Sequence, residues 1–177
     1  MKLTVAKKMA LLVVAALFGI LLSNGIALYQ TSKVFESANY GNVNSVPTLT
    51  LLNDLRRQYL RTRLDVILHV VNTDVAAMAD IDASIKERRK TMSDNLKKYV
   101  TDGCLGGSCI SDDKEKEMVK QLTAAWEAYD QLLDPILVES RANRNEAARD
   151  LIKKATPIGD KIGKELDDVL AHNLGLS

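Results

Sequence analysis

Charge of one sign, histidine, cysteine and aromatic side chains are all scarce in this 177-residue chain. Its 24 basic and 23 acidic residues leave a net charge of +1, so no bulk field selects nucleic acid as a partner. The only histidines are His69 and His172, and the only cysteines Cys104 and Cys109. A structural zinc site takes four such ligands close together. No HExxH, GxSxG, CxxCH or Gly-rich phosphate loop is written in the chain, which leaves no catalytic centre to assign. No enzyme activity, cofactor or metal is expected. Aromatics make up 5% and prolines number three, and no stretch alternates apolar and polar residues as a half-buried strand does. Segments rich in Ala, Leu, Lys, Glu, Asp and Arg favour helix, because most of these side chains lose little rotamer freedom there. The expected fold class is all-α.

What the chain does have is one long apolar run. The residues from Met9 to Leu28 carry no charge, and Lys2, Lys7 and Lys8 stand just before them. At about 1.5 Å per residue this stretch reaches roughly 30 Å, the thickness of a bilayer's hydrocarbon core. The lysines stay on the cytoplasmic side, which sends everything after Tyr29 across the membrane. A cleaved secretory signal is the alternative. Its apolar core is usually shorter, about 7–15 residues, and ends in a small-x-small site. Ser23-Asn24-Gly25 offers a weak one, but the run continues through Ile26, Ala27 and Leu28. The expected domains are a cytoplasmic N-terminus at 1–8, a transmembrane helix at 9–29 and an exported domain at 30–177. No second apolar span follows.

In the exported part, Gly41-Asn42 and Pro47 are expected to weaken or bend the chain where it extends the anchor. From Thr48 the pattern is strongly helical. Leu49, Leu52, Leu60, Leu64, Ile67 and Val71 form one apolar stripe, and Leu51, Leu55, Val66 and Val70 a second. Two stripes suit a helix that packs inside a bundle and also on another subunit; one wide buried face is the plainer reading. A second helix is predicted from about Asp74 to Val100. It ends at the Gly-rich TDGCLGGSCISDD loop, where Cys104 and Cys109 in an oxidising compartment form a local disulfide, with free thiols as the alternative. Ser111-Asp112-Asp113 offers an N-cap for a third helix from about Asp113 to Glu139. Pro135 lies inside that pattern and should kink or break it. The fourth helix runs from about Glu146 to the end, with Pro157 as a second kink. Four amphipathic helices with short links predict an antiparallel up-down-up-down bundle carried on the N-terminal transmembrane helix.

Four stretches together give a family likeness: the lysine-flanked span, SVPTLTLLNDLRRQYLRTRLDVILHV, AAWEAYDQLL, and NEAARDLIKKATPIGDKIGKELDDV with its internal proline. The chain resembles the four-helix-bundle sensor domain of methyl-accepting chemotaxis receptors. The resemblance implies a bacterial inner-membrane protein whose periplasmic bundle forms a homodimer and binds a small molecule, an organic acid or amino acid, directly or through a periplasmic binding protein. Members of that family continue into a second transmembrane helix and a cytoplasmic signalling part, so the last helix is expected to be truncated here. The output coupled to such a head could equally be a histidine kinase or a cyclase. A different class of function, a membrane-tethered scaffold that docks another protein, stays open beside it.

The family's ligand lies between the first and fourth bundle helices of a dimer, where arginines meet carboxylates. Arg56, Arg57, Arg61 and Arg63 crowd the first helix here, and a guanidinium presents paired planar donors suited to a carboxylate. Arg56 and Arg63, seven apart, share a face with Leu49, Leu60 and Ile67. Arg57 and Arg61 lie on a neighbouring one. The aspartate-receptor branch spaces its arginines five and then four apart; Arg56 and Arg61 fit the first interval, but Asp65 takes the third place. Simple transfer of amino-acid specificity is therefore not implied. That branch also uses polar groups around a proline of the fourth helix, which here makes Thr156 and, one turn earlier, Lys153 candidates. Tyr59, His69, Trp126 and Tyr129 read as core packing rather than ligand contacts.

Overall fold

The computed structural model describes residues 4–40, 44–105 and 107–176. The expected bend at Gly41-Asn42 lies outside the described residues. Five helices follow in order: α1 (Val5–Tyr40), α2 (Val46–Val71), α3 (Val75–Thr101), α4 (Asp113–Arg141) and α5 (Asn145–Leu176). The chain divides into two compact units, residues 1–42 and 43–177. In the first, the stretch Val5–Phe35 of α1 is long and apolar enough to cross a membrane, several residues longer than the 9–29 span read from the sequence.

The second unit is the four-helix bundle α2–α5. Its pairings fix the directions of the helices. Arg56 and Arg63 of α2 reach Asp167 and Asp160 of α5, so the numbers rise on one helix as they fall on the other. Asp65–Arg88 with His69–Asp82, and Asp82–Arg141 with Arg89–Asp130, make α2–α3 and α3–α4 antiparallel in the same way. Tyr59 meets Tyr129, and His69 meets Ser140, so α2 and α4 run parallel. This is an up-down-up-down arrangement. The core runs along its axis, with Leu55, Met92, Leu122, Leu133 and Ile162 wholly buried.

Local chemistry places the helix ends. The Asp74 side chain accepts from the amides of Ala76 and Ala77, and Asp112 from that of Glu115, satisfying donors that a first helical turn leaves free. Pro47 falls in the first turn of α2, where a proline lacks no needed hydrogen bond; it opens the helix rather than bending it. Neither inner proline interrupts its helix, since α4 and α5 run on through Pro135 and Pro157. Each ring lies on an exposed face, as do Gln131 and Lys153 one turn earlier. The carbonyl deprived of its donor can turn to water there. The fourth helix also starts one residue before the predicted Glu146.

Cys104 and Cys109 are joined by a disulfide in the loop between α3 and α4. The loop folds under the start of α2. Thr48 Oγ1 lies 3.2 Å from Cys104 Sγ, and Asn44 Nδ2 donates to the Cys109 carbonyl. A Cβ on Gly103 would fall 2.9 Å from Cys109 Sγ and from Leu51 Cδ2, so only glycine lets the loop lie so close.

Candidate functional site

The sequence offered two apolar stripes on α2, and the structure separates their fates. Leu51, Leu52, Leu55, Tyr59, Val66 and Val70 are buried. Leu60, Leu64, Ile67 and Val71, most of the other stripe, are 43–58% exposed. The buried face was hard to read because it carries Thr62 and His69 among its aliphatics, both wholly buried. Thr62 donates to the Gln58 carbonyl at 2.8 Å. His69 is held by Ser140, whose hydroxyl donates to the His69 carbonyl at 3.0 Å while its oxygen lies 2.7 Å from Nδ1. Nε2 stands 3.3 Å from a carboxylate oxygen of Asp82.

The four arginines divide between two places. Arg56, Arg57 and Arg61 line a shallow depression on the outer face of α2, floored by Leu60 and Leu64. Arg56 bonds Asp167 at 2.9 Å and Arg57 bonds Asp54 at 2.8 Å. Exposed pairs of this kind are screened and contribute at most about 1 kcal/mol. Arg63 lies elsewhere. It borders a cleft of about 110 Å³ between α2, α4 and α5, together with Thr156, Tyr129 and the aliphatics Val66, Ile67, Ile136, Ile152 and Ala155. Two candidates from distant parts of the chain, Arg63 and Thr156, thus share one cavity. Lys153 does not join them; its ammonium is exposed and pairs with Asp150 on its own helix at 2.9 Å.

The cleft is built on a tyrosine pair. Tyr59 donates from its hydroxyl to the Gly159 carbonyl of α5, and Arg63 Nη1 donates to the same hydroxyl at 2.9 Å. Nη1 also reaches Asp160 at 3.1 Å. The approach needs glycine at 159, where a Cβ would sit 3.1 Å from the Tyr59 oxygen and 3.3 Å from the Tyr129 ring. Tyr129 meets Tyr59 edge to face, with centroids 6.1 Å apart. Burial pushes the Tyr129 hydroxyl up to about 12, helped by Tyr59 and opposed by Arg63. It is a neutral phenol at any physiological pH. Burial likewise raises Tyr59 above the ordinary tyrosine range. For Arg63 burial works against the charge, yet Tyr59 and Asp160 outweigh it and the guanidinium stays protonated.

Tyr129 therefore lines the cavity with Arg63 and Thr156, and Tyr59, bonded to Gly159, does not line it but holds Arg63 beside it. The two tyrosines read as core from the sequence, and both are in fact buried. Gly159 and Gly163, four apart on the face of α5 that meets Tyr59, were the one legible signal, since small residues at that spacing let another element come close. Thr156 Oγ1 donates to the Ile152 carbonyl at 2.9 Å, so its proton is spent within its own helix. Among the described residues no cluster of His, Cys, Asp or Glu could hold a metal ion.

Comparison with known proteins agrees with this architecture. A family model described as a four helix bundle sensory module for signal transduction matches residues 2–177. No curated protein and no solved structure gives a significant match. With a bundle of the right topology, an apolar leading helix and a match over nearly its full length, this chain belongs to the four-helix-bundle sensory modules of chemoreceptor-type signal-transduction proteins.

Proposed function

We propose that this sensory module binds a small organic anion, of carboxylate type, without changing it chemically, and reports the binding as a displacement of α5 against α2. The observation that carries this reading is the placement of Arg63 on a cleft that opens between exactly those two helices and α4. Arg56 and Arg63 also tie α2 to α5 through Asp167 and Asp160. An anion arriving at Arg63 shares the guanidinium with Asp160 and loosens that tie. A binding site whose occupancy differs between two helix arrangements shifts the balance between them.

In the same reading α1 anchors the protein in a bacterial inner membrane, residues 30–177 lie in the periplasm, and two copies associate along the exposed stripe of α2. The Cys104–Cys109 disulfide fits an oxidising compartment. Arg56, Arg57 and Arg61 then stand at the dimer interface beside the apolar floor of Leu60 and Leu64. The same stripe supports a second reading, a scaffold that docks a different protein.

Calorimetric titration of the full chain in lipid nanodiscs against a panel of organic acids and amino acids tests the sensor reading. At least one acid should bind saturably, and replacing Arg56, Arg57, Arg61 and Arg63 together by glutamine should abolish the heat. A panel without a binder, or binding indifferent to the fourfold replacement, would overturn it.

A further inference from the structure

Two polar groups face the cleft without a full set of partners. Tyr129 is only 6% exposed, and its hydroxyl has no hydrogen-bond partner among the described residues, although the side chain lines the cavity. That hydroxyl is free to bond an atom placed in the cavity. Arg63 spends Nη1 on Tyr59 and Asp160. Nη2 and Nε make no hydrogen bond among the described residues, and together they form the side of a guanidinium that holds a carboxylate through two parallel bonds.

Everything else on the wall is aliphatic except Thr156, and no acidic side chain is among the lining residues. That composition sorts candidate ligands. The α-ammonium of an amino acid would sit near the Arg63 charge and meet no acidic side chain on the cavity wall, which is unfavourable. A dicarboxylate would press its second charge against Ile136, Ile152 and Ala155. Size narrows the choice further. An apolar cavity of about 150 Å³ holds benzene, and the space here, about 110 Å³, suits a short aliphatic tail better than an aromatic ring.

We infer that the cleft between α2, α4 and α5 is a binding site, complete within one protomer, for a short-chain monocarboxylate of about three or four carbons. Arg63 and the Tyr129 hydroxyl hold the carboxylate, and the aliphatic wall takes the tail. The inference rests on the reading above that the module senses a small organic anion; it adds which anion, and that one copy of the chain suffices.

The test is titration of propionate and butyrate into the full chain in nanodiscs, with alanine and succinate alongside. One site per chain is expected for the first two, with at least about tenfold weaker binding of the others. Tyr129→Phe keeps the ring and its packing while removing the hydroxyl, and should weaken butyrate by about tenfold, as loss of a hydrogen bond to a charged group does. Arg63→Gln should weaken it further, and Lys120→Gln, at an exposed position away from the cavity, should leave it unchanged. Thermal melting of each variant confirms that the bundle is intact. Equal or tighter binding of alanine or succinate overturns the inference and leaves the sensor reading standing. So does butyrate binding that survives Tyr129→Phe and Arg63→Gln, or an organic acid that binds where propionate and butyrate do not. Silence from every acid overturns both.

Discussion

Glu115 is a wholly buried carboxylate that no sequence pattern singled out. Such a charge is tolerated only when fully hydrogen-bonded, and here four donors converge on it. One oxygen accepts from the Ser111 amide at 2.6 Å and its hydroxyl at 2.7 Å. The other accepts from the Tyr99 hydroxyl and from Asn173 Nδ2 at 2.6 Å. One side chain thereby joins the end of α3, the start of α4 and the last turns of α5. Replacing it with alanine takes the shared acceptor from all four, although Asn173 keeps the Val169 carbonyl. Glu115→Ala should cost about 3 kcal/mol, readable as a fall of roughly 10 °C in the thermal midpoint. Ser111→Ala removes one donor but leaves the carboxylate satisfied by others, and should cost about 1 kcal/mol. Equal losses from the two would show that the network is not what matters.

At the scale of elements, the α3–α4 seam is laced by charge, as the α2–α5 seam is. Arg141 grips Asp82 through two nitrogens at 2.7 Å, and Arg89 bridges Asp130 and Asp134. Hydrogen bonding from Arg141 holds the Asp82 carboxyl below the usual aspartate range, and Arg89 does the same to Asp134. A depressed carboxyl lends stability above its unfolded pKa, near 4, and withdraws it as pH falls through the lower folded value. Urea midpoints should therefore hold from pH 7 to about 5 and drop below about 4, with these two groups contributing about 1 kcal/mol of the loss, because Asp134 is largely solvated. Asp82→Asn with Asp134→Asn should shrink the acid-induced drop; an unchanged drop would place acid sensitivity elsewhere. The helices themselves were readable from periodicity, and their starts from Asp74 and from Asp112 within Ser111-Asp112-Asp113, because caps and apolar spacing are local properties. The facing of α2 was not readable. Its two stripes are similarly apolar, and the contacts that turn one inward, such as Tyr59 with Gly159 a hundred positions away and His69 with Ser140, are long-range. The candidate site was half readable for the same reason. Arg63 and Thr156 were identifiable by residue type, but their meeting, and the parting of Arg63 from Arg56, Arg57 and Arg61, depend on how three helices pack.

The bundle as a whole buries a continuous core yet leaves Leu60, Leu64, Ile67 and Val71 43–58% exposed along one helix. Scattered exposed aliphatics need no explanation, whereas a row of them rimmed by arginines marks a surface that binds something. The row runs along the second half of α2 and recurs at three- and four-residue spacings, so a second copy of the same helix can pack against it. Arginines at its edge keep the face soluble when alone and can find carboxylates across the interface. If two copies of this sensory module meet here, a charge placed in the row should separate them without disturbing either fold. Leu60→Glu with Leu64→Glu removes about 1 kcal/mol of apolar burial per side chain per subunit and adds facing like charges. The dimer should weaken by well over tenfold in sedimentation of the full chain in detergent, while the melting temperature of the bundle changes little, since neither side chain belongs to the core. A dimer that persists through both substitutions would move the interface off α2. A monomer already present in the unaltered protein would turn the stripe toward a different partner, and the scaffold reading would then account for it better than the dimeric sensor.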